Sequence, residues 1–225
     1  MTTSDLFRTH TYFGLSKDQF RLLSRLDTPQ KIQDFLDTLP INFEEDGETY
    51  MSVKHVLEQG TAHCMEGAVF AACCLWIAGQ KPLLMDFQTH RDEDHVVALF
   101  RQGGHWGAVS KTNHPVLRYR DPVYKTLREL ALSYFHEYFD KSGRKSLRNY
   151  SLPFSLLRYD PHFWVSGKDD LIAVVNDLED SRHYTLVKGR HLQYLRSVEP
   201  YISFVSDITQ WNRKGKRGNF HRRKK

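Results

Sequence analysis

The most apolar stretch of the chain lies between residues 65 and 78 and ends at Gly79. Apolar side chains recur there at helical spacing, and the positions between them are apolar as well, which predicts a helix buried on nearly all sides. The spaced set is Met65, Ala68, Val69, Ala72, Leu75 and Trp76, and the intervening set includes Phe70, Cys73 and Ile77. Gly79 is typical of the left-handed residue that ends a helix. Cys64 therefore lies at the N-terminus of this helix.

Two shorter helices are predicted before it. Thr28 followed by Pro29 is typical of an N-cap and a first helical residue, and Pro40 ends the apolar periodicity that follows. Ser52 is a candidate N-cap for a second helix that ends at Gly60.

After the apolar helix, three runs have the composition of strands. They span 82–87, 95–100 and 105–110, and Gly103-Gly104 between the last two predicts a tight hairpin. The sequence therefore predicts an antiparallel meander after the helices.

The C-terminal half gives weaker signals. Asp121-Pro122 again suggests a cap, here for an amphipathic helix that runs to Tyr138, and 141–150 is predicted as a basic, polar loop. A helix over 169–178 and a short strand over 184–187 follow, whereas 201–211 remains ambiguous. Helices, then a meander, then helices with minor strands predict the α+β class.

Charge divides the chain into an acidic body and a basic tail. The formal net charge is +5, but residues 212–225 hold eight Lys or Arg and no acidic residue. The remainder has 24 basic and 27 acidic residues, which argues against a uniformly basic nucleic-acid-binding domain. The tail is expected to be flexible. It is either a solubilising terminus or a weak, nonspecific contact with nucleic acid or another anion.

Composition also limits the class of protein. The hydrophobic and charged fractions, 40% and 26%, are those of a globular protein. Three cysteines, two of them adjacent, make a poor disulfide framework, and no N-terminal apolar leader is visible, so we expect a cytoplasmic protein. No apolar run reaches the ~20 residues of a membrane span, so we expect no membrane insertion.

Cys64 is the first candidate for chemistry. A thiol at a helix N-terminus lies near the positive end of the helix dipole, which favours the thiolate that acyl transfer requires. His95 opens the second predicted strand, from which a side chain can reach a cysteine on the adjoining helix. We therefore take Cys64 as a candidate nucleophile and His95 as its base. The alternatives are a packing cysteine and a solvated histidine at a strand end.

The order of these residues resembles the transglutaminase-like superfamily, which has a papain-like Cys-His-Asp core. The matching positions are Gly60, Cys64, Ala68, Leu75, Gly79, His95, Val97, Leu99, Phe100 and Trp106. The resemblance covers about residues 28–122. It implies a central helix that carries the cysteine and packs on an antiparallel sheet, with extra C-terminal helices. It also implies Cys64 as nucleophile and His95 as general base and acid.

The third member of such a triad departs from the family pattern. Ser110 stands where the pattern most often has an aspartate; a serine can hydrogen-bond an imidazole but cannot stabilise an imidazolium as a carboxylate does. Asn113 is a second candidate, and Asp121 is a third if an insertion has displaced the acid. Asp121 also has the pattern of an N-cap, and a site without a third member is the remaining alternative.

The sequence contains no sign of a cofactor or resident metal. His63, Cys64, Asp94 and His95 can be written as a mixed zinc site, but no Cys-x-x-Cys or His-x-x-x-His pair supports it. Residues 92–94 are more typical of a solvated turn than of a calcium loop. No phosphate-binding glycine motif or dinucleotide fingerprint is present.

We therefore predict one transglutaminase-like domain over 1–211, with a core at about 28–122 and a C-terminal elaboration over 123–211. The predicted chemistry is thiol-mediated acyl transfer or amide hydrolysis on a peptide, protein or other amide-containing substrate. Family members act on glutamine side chains, peptide bonds, glycans and arylamines, and the sequence selects none of these. The alternatives are a catalytically degenerate peptide-binding module and a nucleic-acid-associated factor that uses the tail at 212–225.

Overall fold

The computed structural model describes residues 5–6, 10–44 and 47–206, and of Ser206 only the backbone is described. Eight α-helices are formed within these residues. They are α1 (Lys17–Arg25), α2 (Pro29–Thr38), α3 (Val53–Gln59), α4 (Cys64–Ile77), α5 (Leu127–Tyr134), α6 (Pro161–Ser166), α7 (Ile172–Glu179) and α8 (Pro200–Ser206). Short 3₁₀ turns lie at Thr11–Gly14, Leu156–Arg158 and Gly189–Tyr194.

One sheet accounts for the strands of the described residues. Its members are β1 (Leu83–Thr89), β2 (His95–Gln102), β3 (His105–Val109), β4 (Arg120–Tyr124), β5 (Leu147–Ser151), β6 (Phe154–Ser155) and β7 (His183–Thr185). The order across the sheet is β4-β3-β2-β1-β5-β7, β6 also pairs with β1, and every pairing is antiparallel. The α+β class predicted from the sequence is therefore confirmed.

The fold has three layers: the helices around α4, the sheet, and helix α5. Helix α4 packs on one face of the sheet, and its side chains are buried except at Cys64, because helices α1, α2, α3, α6 and α7 surround it. Helix α5 covers the opposite face through Leu130, Ala131 and Tyr134. Cys73 and Cys74 lie fully buried in the first of these two cores, where they pack as small apolar residues.

The predicted N-terminal elements agree with the structure to within two residues. The Thr28 side chain accepts a hydrogen bond from the Lys31 N–H and caps α2 as predicted. Gly60 ends α3 with a φ of 66°. Ser52 precedes α3, but its hydroxyl donates to the Gly167 carbonyl instead of capping the helix. The β2–β3 hairpin turns at Gly103 and Gly104, both with positive φ.

The cap predicted at Asp121 is wrong. Asp121 is an exposed residue within β4, and the following helix begins only at Leu127. Thr126 caps that helix, with Glu129 completing a reciprocal capping box. An Asp-Pro pair is compatible with a sheet edge as well as with a helix start, because β4 has no strand beyond it and Pro122 needs no partner there.

A second difference concerns the predicted loop at 141–150. Its last residues form β5, which pairs with β1 through Phe87 and Tyr150. Leu147–Ser151 has a polar composition that does not predict a strand. It forms one because it pairs with β1 on one side and β7 on the other. The helix predicted at 169–178 and the strand at 184–187 are present with shifted ends. The ambiguous 201–211 begins as α8, and its residues after 206 lie outside the described part.

Within the described ranges, no single helix is long and apolar enough to cross a membrane. Helices α3 and α4 satisfy the same length and composition test only as a pair bent by 114°. The predicted basic tail at 212–225 lies outside the described residues, and the division of the chain into one domain and a tail stays a prediction.

Gly67 is required by the close approach of helix α4 to the chain after β3. A Cβ at this position would lie 2.4 Å from the Cβ of Lys111, which is buried and cannot swing away. We expect Gly67→Ala to lower the free energy of unfolding by about 1–3 kcal/mol, as overpacking of a dense core does. Urea denaturation would check this, with Ala68→Gly as a comparison that removes a methyl from the next position. A Gly67→Ala protein as stable as the wild type would contradict the expectation.

Candidate functional site

Cys64 is the first residue of helix α4 and is half-buried, unlike the two other cysteines. His63 is the N-cap of the helix, and its Nδ1 accepts a hydrogen bond from the Met65 N–H at 3.2 Å. Glu66 completes the cap by accepting from the His63 N–H at 2.9 Å. The sequence His63-Cys-Met-Glu66 is thus a capping box with histidine in the place of serine or threonine.

The strand that follows brings His95 to this helix start. His95 is the first residue of β2 and is almost completely buried. Its imidazole acts on the pKa of the Cys64 thiol and lines the same cleft, so the predicted pair is brought together. Its Nε2 lies 2.8 Å from the Ser110 Oγ at the end of β3.

The tautomer of His95 follows from the single proton of the Ser110 hydroxyl. That proton is donated to the Leu117 carbonyl, so Ser110 Oγ must accept from the Nε2–H of His95. In the neutral imidazole, Nδ1 then carries the free lone pair and is the nitrogen left for the thiol of Cys64. This is the arrangement that a general base requires.

Ser110 is held from both sides. The buried amide of Gln33 in α2 accepts from the Ser110 N–H at 3.0 Å and donates to the Ser110 carbonyl at 2.9 Å. On the other side, Leu117 has a positive φ of 60°, and its N–H donates to Glu137 at 2.6 Å. Glu137 is in turn paired with Arg120. These contacts fix the hydroxyl that orients His95.

The other two candidates for the third position do not orient His95. Asn113 lies in the wall of the cleft described below, and Asp121 is exposed on β4. Among the described residues, no hydrogen bond joins either side chain to the His95 imidazole; its oxygen partner is Ser110.

The contact of Glu66 with His63 was not predicted from the sequence, where His63 was considered only as a metal ligand. The Glu66 side chain is fully buried and accepts hydrogen bonds from the side chains of Asn42 and Thr49 and from the Met51 N–H. It lies one helical turn after His63, whose Nε2 is 3.4 Å from the Glu66 Oε1. The signal in the sequence was the capping-box spacing, which was obscured because histidine is an uncommon cap.

The surroundings of Cys64 favour the thiolate. Burial alone would raise the pKa of the thiol, but the neighbouring imidazoles of His63 and His95 outweigh it and lower the pKa to about 6. For Cys73 and Cys74, burial acts without such partners and raises the pKa of each thiol far above its usual value. Of the three thiols, Cys64 is therefore the one whose surroundings favour the thiolate.

A cleft of about 1170 Å³ opens in front of these groups. Cys64, His63 and His95 lie in its wall. Lys111 also borders the cleft, but its ammonium is buried and donates to the Leu36 and Leu39 carbonyls at the end of α2. Burial lowers the pKa of Lys111 to about 8. Its two carbonyl partners explain this lysine as a cap of α2.

The acidic side chains of the turn before His95 accept hydrogen bonds from neighbouring residues of the protein. Asp94 accepts from the Thr89 N–H at 2.7 Å, and Asp92 accepts from the Ser146 hydroxyl. Within the described part of the chain, no group of three or more His, Cys, Asp or Glu side chains is placed to hold a metal ion.

A scan of the chain against protein-family models gives no match, and a search of the curated proteins gives none either. The resemblance to the transglutaminase-like superfamily therefore stays a prediction that rests on the residues of this chain.

Proposed function

We propose that this protein is a transglutaminase-like cysteine enzyme that performs thiol-mediated acyl transfer or amide hydrolysis. Cys64 is the nucleophile and His95 the general base and acid. The observation that carries the proposal is that Cys64 and His95 lie together in the wall of an open cleft, with His95 Nε2 hydrogen-bonded to Ser110.

The reaction follows from the order of these groups. The thiolate of Cys64 attacks the carbonyl carbon, the S–C bond forms, and the carbonyl electron pair moves to oxygen. The N–H groups at the start of α4 have no partners within the helix, and we assign the Cys64 N–H to the oxyanion. As the C–N bond breaks, the amine leaves with a proton from an imidazole of the site, and a thioester remains. Water or a second amine then attacks the thioester and gives a proton to His95 Nδ1, and the C–S bond breaks to restore the thiolate.

The same observations weigh against a non-catalytic binding module. A module that has lost its chemistry has no need of a buried histidine in one fixed tautomer, nor of a serine clamped by Gln33. A lowered thiol pKa in an open cleft also favours a reactive group over a packing residue. The role of Ser110 is that of the orienting third member, although it contributes no charge.

The proposal is tested by trapping the acyl-enzyme. We expect a small activated ester, such as p-nitrophenyl acetate, to transfer one acyl group to Cys64, seen as one added acyl mass and located by peptide mass spectrometry. Cys64→Ala removes the adduct, whereas Cys73→Ala keeps it because Cys73 is buried. An adduct that persists in Cys64→Ala, or none in the wild type, would overturn the assignment. Cleavage of peptide amides would then indicate hydrolysis, whereas incorporation of an added amine into glutamine peptides would indicate acyl transfer.

A further inference from the structure

His63 directly precedes Cys64, the proposed nucleophile, at the start of α4. The imidazoles of His63 and His95 both act on the pKa of the Cys64 thiol, and all three side chains lie in the cleft wall. The predicted chemistry uses only His95 and leaves His63 without a part in the reaction.

The hydrogen bonds of His63 define which nitrogen faces the reacting atoms. Nε2 lies 2.6 Å from the Thr49 carbonyl, which can only accept, so Nε2 carries a proton. Nδ1 accepts from the Met65 N–H when the ring is neutral, and it is the nitrogen left for the Cys64 proton. On protonation, Nδ1 can no longer accept from the Met65 N–H and becomes a hydrogen-bond donor.

Two carboxylates lie near the Nε2 atom of the His63 ring. The Glu66 Oε1 lies 3.4 Å from Nε2, and the Glu44 Oε1 lies 3.7 Å from it. The Glu66 side chain is fully buried, while that of Glu44 is 32% exposed. An imidazolium with carboxylates at this distance is stabilised by their charge. His95, in contrast, has a serine hydroxyl behind it, which offers a hydrogen bond but no negative charge.

We propose that His63 holds the Cys64 proton in the resting site, with Glu66 and Glu44 in the place of a triad carboxylate. His95 Nδ1 then keeps its lone pair for the later proton transfer from water. The inference rests on the proposed function in that Cys64 is the nucleophile, and it gives His63 the proton donation to the leaving amine that His95 would perform in a site with a single histidine.

The proton balance is complete with the amide substrate and water as the reactants. In the resting pair the S–H bond of Cys64 is broken and the proton is bound to His63 Nδ1. Attack forms the S–C bond, and when the C–N bond breaks the proton on His63 passes to the leaving amine. Water then gives a proton to His95 Nδ1 as its oxygen bonds the acyl carbon, the C–S bond breaks, and the thiolate is restored. Return of that proton from His95 to His63 completes the cycle.

The electrostatics of the surrounding groups agree with this assignment. Burial alone would lower the pKa of His63, but the hydrogen bond to Cys64 and the charge of Glu66 raise it to about 9. The Tyr50 ring packs edge-on against His63 at 5.8 Å, and burial raises the pKa of its hydroxyl, so it adds no charge near neutral pH.

The test is the pH dependence of Cys64 alkylation by iodoacetamide, which reads the thiolate without any turnover. We expect the wild-type rate to rise with a midpoint at about pH 6. His63→Asn keeps a good N-cap but has no basic nitrogen, and the midpoint should move up by roughly 1–3 pH units. His95→Gln should move it less. A larger shift in His95→Gln than in His63→Asn would overturn the proposal.

Two further variants serve as checks. Glu44→Gln removes one charge at a partly exposed position and keeps an oxygen that can accept from the Thr49 N–H, and we expect a smaller upward shift in the same direction. An unchanged midpoint in both Glu44→Gln and His63→Asn would contradict the proposal. His114→Asn removes another histidine from the cleft wall and should leave the midpoint near 6. If alkylation behaves as expected but no acyl-enzyme forms, the proposed function fails and the Cys64–His63 pair stands.

Discussion

Replacing His95 with glutamine is expected to lower turnover of an acyl donor by roughly 10²- to 10⁴-fold, the usual contribution of a general base. The physical reason is the fixed tautomer: Nε2–H is bound to Ser110, so Nδ1 is the basic nitrogen at the sulfur. Glutamine keeps a donor for Ser110 but has no group that accepts and returns a proton near neutral pH. Steady-state release of product, measured from pH 5 to 9 with the donor found by acyl trapping, checks the expectation.

Two variants separate chemistry from packing in this experiment. Ser110→Ala leaves the His95 Nε2–H without its acceptor, and we expect a smaller loss of turnover, because the ring keeps its basic nitrogen but loses its orientation. Gln88→Glu alters a polar residue on the neighbouring strand β1 and should leave turnover close to the wild-type value. Turnover in His95→Gln within about tenfold of the wild type would mean that a different group moves the proton.

The pairing of Cys64 with His95 was predictable because each residue lies at the end of an element whose apolar pattern is strong. The helix after Cys64 is apolar on all sides, and the strand after His95 is Val-Val-Ala-Leu-Phe, so burial decides both positions. Once the strand is placed beside the helix, the two N-terminal residues meet. Local pattern alone is enough for this part of the site.

The support behind the histidines was not predictable in the same way. Ser110 becomes the orienter of His95 only because Gln33, 77 residues earlier, and Leu117 fix it from two sides. Glu66 reaches His63 because a capping box bends the chain there, and Thr49 is brought close by a loop with no periodicity. Such contacts join residues distant in sequence, and no spacing rule describes them.

The error at Asp121 has the same origin. Asp-Pro satisfies local rules for a helix start and for a sheet edge, and the choice is made by pairing between β3 and β4. Val123, expected on the apolar face of a helix, is instead 65% exposed on β4. Tertiary pairing overrode the local signal, and it removed the one acidic candidate for the third position from the surroundings of His95.

The largest loss of stability from a single side chain of the site is expected for Glu66→Ala. The Glu66 carboxylate accepts from the His63 and Met51 N–H groups and from the side chains of Asn42 and Thr49. Alanine leaves these donors buried without an acceptor, and removing one member of a buried charged network costs about 3–5 kcal/mol. Urea denaturation at pH 7 measures the change in the free energy of unfolding.

Glu58→Ala is the matched control for this prediction. Glu58 lies on α3, is 42% exposed, and meets Lys54 and His55 only at 4.0 Å, so its loss should change stability by less than about 0.5 kcal/mol. Glu66→Gln keeps one acceptor oxygen but directs an NH₂ group at other donors. Its loss of stability should therefore lie between those of Glu58→Ala and Glu66→Ala. Because the same carboxylate lies 3.4 Å from His63, a folded Glu66→Gln protein should also show a higher midpoint for Cys64 alkylation. A Glu66→Ala protein within 1 kcal/mol of the wild type would mean that water replaces the carboxylate. Helix α4 would then start without its cap at almost no cost.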